Sequence, residues 1–306
     1  MRYFRQTLLL WAASMIGWSC SEDIEPGFND IEKQSLQLTV STGTITRAEL
    51  VTGTTFDSGK AIGVALLVQG TGASYDNQGY SNVKYTSSGT GVGQTWAASP
   101  DIKLSSTLGQ LYAYYPYSSS VTNVSNIPIN LTTNEVDYMW AEETANTKNV
   151  SNKKPTVALS MKHALTAIRC ALKRGSYTGT GKVTAIEIKS DALGTAATWN
   201  AKTGGFTGVS GTSTGRSKTT NFNVANNATN VDFLMIPNGQ SKTVTFKVTV
   251  DGQNYTVTSP DNVAFAAGTI YSYSLILEGH GITLNPVKLT DWSVQNSGSL
   301  TPDLDI

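Results

Sequence analysis

The chain has 306 residues, 22 of them basic and 22 acidic, so its formal net charge is zero and only 14% of it is charged. That balance excludes the broad basic face that nucleic acid recruits, and no nucleic-acid partner is expected. With 28 Gly, 13 Tyr and many Ser, Thr and Asn residues, the composition favours short strands and tight turns, so an all-β protein of two domains is expected.

The chain opens with Met1, Arg2 and Arg5, then an apolar run from Leu8 to Trp18, then Ser19 and Cys20. A positive start, a short apolar stretch and a small residue before the break form a secretory signal. The run is too short to span a bilayer, which takes about 20 apolar residues. Its end at Cys20 resembles the lipobox of bacterial lipoproteins, in which the cysteine is acylated, although Gly17 and Trp18 depart from that pattern. Ser21, Glu22 and Asp23 resemble an acidic surface-export signal. Residues 1–19 are therefore read as signal, Cys20 as a lipidation site with a fatty acyl (palmitate-type) anchor, and 20–35 as an acidic tether. Ordinary secretion is the alternative. With Cys20 lipidated, Cys170 has no partner, and its apolar surroundings predict a buried thiol and no disulfide.

Leu36, Leu38 and Val40 alternate with Gln37, Thr39 and Ser41, the period of a half-buried strand. Ala61 to Val68 forms a second apolar run, followed by turn-rich sequence to about Ser88. Leu108 to Tyr117 is dense in aromatics and is expected to alternate between core and a covered edge, with Pro116 ending the ladder. A polar stretch from Asn149 to Pro155 suggests the domain boundary, giving an N-terminal unit over 36–154 and a C-terminal unit over 155–306. Val157 to Lys173 fits both helical and strand periods; a strand broken near His163 is preferred. Thr243 to Val250 and Gln253 to Ser259 flank Asp251-Gly252, a hairpin turn that sets Val248 opposite Tyr255 and Phe246 opposite Val257. Ile270 to Leu277, Ile282 to Leu284 and Val287 to Leu289 supply closing strands. Asp291-Trp292 precedes a polar tail, with Trp292 read as an anchor under the last strand.

Chemistry is sparse. Of the two histidines, His163 reads as structural, and His280 lies far from it in sequence; no metal-ligand spacing or phosphate loop is present, so neither a metal nor any other cofactor is implied. Gly211-Thr212-Ser213-Thr214-Gly215 matches a hydrolase elbow in letters, but it sits in a Gly, Ser and Thr loop without the strand and helix that motif needs. Glu142 and Glu143 point to opposite faces of a strand, and Asp303 and Asp305 sit in the tail. No enzyme is expected.

Several segments together resemble the fimbrillin-like family, the lipoprotein subunits of type V pili. They are Thr46-Arg47-Ala48 before an apolar strand, Ala113-Tyr114-Tyr115-Pro116-Tyr117, Met161 to Ile168, Leu234-Met235-Ile236-Pro237, Gly268-Thr269-Ile270-Tyr271-Ser272-Tyr273 and Asp291-Trp292, in the family's order. The resemblance implies two β-sandwich domains with transthyretin-like Greek-key topology. It also implies an outer-membrane lipoprotein precursor at the cell surface and polymerisation by strand exchange into a fimbrium. In that scheme an arginine-specific protease cuts at Arg47, leaving Ala48 as the new N-terminus and removing the strand of Leu36, Leu38 and Val40. The cleft left behind is refilled by a strand of another subunit. Ile282, Leu284, Val287 and Leu289 are the candidate donor residues, although Pro286 interrupts them, so stalk and tip roles both stay open. Implied partners are other pilus subunits, the outer membrane through the lipid before processing, and a host or bacterial surface ligand. The alternative is a surface glycan-binding lipoprotein that offers Trp96, Tyr75, Tyr80 or Trp199 to sugar rings.

Overall fold

The computed structural model describes residues 33–42, 56–91, 94–132 and 135–291. Besides a short pairing of Gln34–Ser35 with Lys103–Leu104, the described first half contributes β1 (Gln37–Thr42), β2 (Ala61–Val68), β3 (Val83–Ser88), β4 (Thr95–Ser99), β5 (Gly109–Tyr115), β6 (Ile127–Asn130), β7 (Met139–Ala141) and β8 (Thr156–His163). Seven of them form one sheet in the order β1-β8-β7-β5-β2-β3-β4. The sheet curls until β4 comes alongside β1, the opposite edge. Its inner face packs Leu36, Leu38 and Val40 against Ile62, Val64, Leu111, Leu159 and the aromatics Phe56, Tyr85 and Trp96. Each inward residue is followed by an outward one because successive strand side chains alternate.

The second half continues with β9 (Thr166–Arg174), β10 (Lys182–Lys189), β11 (Leu193–Gly194), β12 (Ala196–Trp199), β13 (Phe206–Ser210) and β14 (Arg216–Asn223). It ends with β15 (Thr229–Pro237), β16 (Thr245–Val250), β17 (Gln253–Thr258), β18 (Thr269–Glu278), β19 (Gly281–Leu284) and β20 (Lys288–Asp291). A six-stranded sheet, β11-β15-β9-β18-β19 with β20 also on β18, faces a four-stranded sheet, β14-β10-β16-β17. Ile168, Cys170, Leu172, Ile186, Phe246, Val248 and Tyr273 fill the space between them. Cys170 is fully buried there, and that burial pushes its thiol pKa up. The expected hairpin is present, with Phe246 opposite Val257 and Val248 opposite Tyr255. Asp251 and Gly252 take φ of 47° and 80° at its tip, left-handed geometry that Asp tolerates and Gly favours.

One expectation is corrected. The change of sheet falls at His163-Ala164-Leu165 and not at 154/155, because β8 pairs with β1 and β7 of the first sheet. The chain then passes directly into β9, which pairs with β15 and β18 of the second. The reason is non-local: parallel pairing with a strand more than a hundred residues earlier holds β8, and no local pattern encodes that. The break near His163 is where the strand reading placed it.

The halves are stitched together. β6 of the first half pairs with β12, and β12 with β13, as a small three-stranded sheet. Beneath it Tyr114, Ile127, Ile129, Leu131, Leu165, Trp199, Leu234 and Ile236 form a buried junction cluster. Glu135 completes the contact: it accepts the Leu234 backbone N–H at 2.8 Å and pairs with Arg216 at 3.2 Å and Lys218 at 2.7 Å.

Candidate functional site: the first strand and its cleft

β1 is the outermost strand of its sheet and has one ladder partner, β8, with which it runs parallel from Gln37 opposite Thr156 to Thr42 opposite Met161. Leu36, Leu38 and Val40 are 3%, 6% and 7% exposed, whereas Gln37, Thr39 and Ser41 face outward. The strand therefore plugs an apolar cleft between β8 on one side and the 101–104 segment and β4 on the other. The Leu36 N–H donates to the Ile102 carbonyl at 3.0 Å, and the Gln37 N–H to the Pro155 carbonyl at 2.8 Å. The Tyr85 hydroxyl reaches the Leu36 carbonyl at 3.4 Å from inside the core. At the entrance, Lys103 Nζ donates to Ser35 Oγ at 2.7 Å and pairs with Asp101 at 3.0 Å. The lysine's hydrogen bond holds the Asp101 carboxyl below its ordinary range.

Burying two Leu and one Val side chains contributes roughly 5–9 kcal/mol. A typical domain's whole net stability is about 5–15 kcal/mol. Emptying the cleft in water would also strand the β8 backbone groups that pair with β1. The cleft thus holds an extended segment of this chain with apolar residues at alternate positions. Among the described residues, no cluster of His, Cys, Asp and Glu could hold a metal ion.

The other residues singled out in the sequence fall as follows. Ile282 and Leu284 lie half-buried on β19, Leu289 lies on β20 and is 59% exposed, and Val287 links the two strands; both strands pair with β18 of their own sheet. Cys20, Arg47, Ala48, Trp292, Asp303 and Asp305 lie outside the described residues. His163 is buried against Asp137, with Nδ1 at 3.0 Å from Oδ1. Glu142 and Glu143 follow β7 and pair with Lys162 and Lys148 respectively. Residues 211–215 form the turn between β13 and β14.

The sugar-platform alternative is corrected. Tyr75 and Trp199 are fully buried, and Tyr80 and Trp96 are at most 9% exposed, so none offers a ring face to a ligand. Trp96 stacks edge-on against Phe56, and Trp199 against Tyr114 and Tyr138. Aromatic residues in strands are core by default, because each buries a large apolar area. The Ile102 and Pro155 carbonyls and the Tyr85 hydroxyl, which grip the start of β1, carried no signal in the sequence, since main-chain acceptors look alike in every residue.

The model of the fimbrillin-like family matches residues 46–292. Comparison with curated protein sequences gave no match. Among solved structures, a candidate cell adhesion protein from Bacteroides ovatus is similar with a TM-score of 0.67 at 18% identity, covering 86% of this chain and 99% of that one. A candidate cell adhesion protein from Bacteroides uniformis aligns with a TM-score of 0.60 at 21% identity, over 85% of this chain and 98% of its own. A fimbrial protein from Bacteroides vulgatus aligns with a TM-score of 0.50 at 14% identity, over 85% and 100%. At such identities the likeness speaks for a shared fold.

Proposed function

We propose, from the premise that this chain belongs to the fimbrillin-like family, that it is a structural and adhesive subunit of a cell-surface type V pilus, assembled by exchange of its first strand. The observation that carries the reading is the placement of Leu38 and Val40 on an edge strand whose one ladder partner is β8, with Leu36 just before it, all three filling the core of their own sheet. Replacing it breaks only the ladder with β8 and the short pairing of Gln34–Ser35 with Lys103–Leu104. Cleavage after Arg47 would free residues before Ala48, and a neighbour's apolar, alternating segment would take the vacated place as an added strand. Before cleavage, lipid on Cys20 would hold the precursor at the outer membrane; afterwards the mature part belongs to the fimbrium, where it meets other subunits and a host or bacterial surface ligand.

The acceptor side of this scheme is better supported than the donor side. Ile282, Leu284, Val287 and Leu289 could be donated only if β19 and β20 left β18, which favours the tip role over the stalk role. The test is to treat the purified precursor, together with other subunits of the same fibre, with an arginine-specific protease and look for SDS-resistant ladders on a gel. Ladders that vanish in Arg47→Ala support strand exchange. A chain that is cut at Arg47 yet stays monomeric, even when mixed with intact subunits of the same fibre, refutes it.

A further inference from the structure

The entrance of the β1 cleft is a collar held by residues outside the strand. Ile102 and Leu104 are fully buried, and the Tyr80 hydroxyl accepts the Lys103 N–H at 3.1 Å, so the core side fixes the 101–104 segment. At this collar the chain changes partner. Ser35 lies opposite Lys103 in the short antiparallel pairing, and at Gln37 the parallel ladder with β8 begins. Three polar atoms close a triangle there: Lys103 Nζ donates to Ser35 Oγ at 2.7 Å, Ser35 Oγ donates to Asp101 Oδ2 at 3.1 Å, and Lys103 Nζ lies 3.0 Å from that same oxygen. One serine oxygen thus accepts from the cation and donates to the anion. An ammonium has no acceptor, an ionised carboxylate has no donor and alanine has neither, so at this short reach a hydroxyl is the group that satisfies both.

The collar supplies what the cleft interior lacks. Leu36, Leu38, Val40 and Thr42 are all buried on one face, and a slip of one residue would turn all four outward. A slip of two keeps the alternation facing inward, and two of the four positions already take the same side chain, leucine. The triangle separates the two-residue slips from the observed register. In one direction Lys33 replaces Ser35 and meets Lys103 as a like charge; in the other Gln37 replaces it, with its polar atoms at the end of a longer side chain. Asp101 and Lys103 are about half exposed. Exposed pairs of this kind add little to stability, but charges at the rim of a contact fix register and choice of partner.

We propose that Asp101 and Lys103 are the specificity-determining residues of the cleft, and that the partner they select is an extended segment of another subunit with Ser or Thr immediately before the first of its alternating apolar residues. The identity of the partner rests on the strand-exchange reading. The test uses the full chain with a site for a sequence-specific protease placed within residues 43–55, so that the cut does not depend on Arg47. The severed chain is refolded from urea with labelled peptides of residues 33–42 in excess, and fluorescence anisotropy reads their uptake. The parent peptide and Ser35→Thr bind within about twofold of each other, and Ser35→Ala binds about three- to tenfold more weakly. In the Lys103→Met chain the Ser35→Lys peptide overtakes the parent peptide, and in Asp101→Asn the Ser35→Asp peptide does, an exchange of preference that a merely structural role for the two residues would not produce. Equal binding of all these peptides to the parent and altered chains overturns the selective role of the collar and leaves strand exchange standing. If no peptide enters the cleft, the parent sequence included, the proposed partner and the strand-exchange reading fall together.

Discussion

Asp251 shows how a single exposed side chain can hold a turn and a neighbouring loop together. Its carboxylate accepts the Gly181 and Lys182 backbone N–H groups at 2.8 Å each and the Tyr177 hydroxyl at 2.9 Å. The Gly181 and Lys182 bonds, in that order, keep its pKa below the ordinary aspartate value, while the Tyr177 hydroxyl is pushed up to about 12, chiefly by its bond to Asp251. A depressed carboxylate contributes stability that is fully present above its unfolded-state pKa and lost as the pH falls through its folded-state pKa. Asp251→Ala is therefore expected to lower the thermal midpoint at pH 7 and to have progressively less effect as the pH drops below the normal aspartate range. Thermal melts of both chains between pH 7 and pH 2 check this, and parallel curves across that range would contradict it.

At the scale of the strand, the cleft should recognise pattern more than identity. A chain beginning at residue 56 is expected to lose most of its stability, given the roughly 5–9 kcal/mol that burial of Leu36, Leu38 and Val40 contributes. A peptide spanning 33–42 added in trans should restore the melt, and one with Leu38 and Val40 both changed to Asp should not, because a buried carboxylate pays desolvation without a partner. Differential scanning fluorimetry separates the two outcomes. The same strand shows what could be read from sequence. Its alternation, the Ala61–Val68 run and the Asp251-Gly252 hairpin are local patterns, and each was legible. The sheet change at His163 was not, because β8 belongs to the first sheet through β1, far away in the chain. His163 was legible as structural, but its partner Asp137 lies 26 residues away and leaves no periodic trace. Trp96, Tyr75, Tyr80 and Trp199 could be read as platforms only because a strand's letters do not say how deep it lies. Glu135, which ties the halves through Arg216, Lys218 and the Leu234 amide, looked like any loop carboxylate.

For the molecule as a whole, the β6–β12 ladder and the cluster around Trp199 make the two halves one mechanical body. Trp199→Ala empties a fully buried site shared by both, and a loss of about 3–5 kcal/mol is expected. A single calorimetric transition in the parent chain should then split into two, whereas one sharp transition in the variant would show that the halves hold together without it. The parallel sense of β1 on β8 reaches further still. A replacement segment that reproduces the same hydrogen bonds must enter with the same direction, N-terminal end toward Pro155 and C-terminal end toward the junction. Such a contact is heterologous: the surface that gives differs from the surface that takes, so copies joined this way line up head to tail and never face to face. A filament built on it has two unlike ends, one presenting an open acceptor surface and the other an unused donor surface.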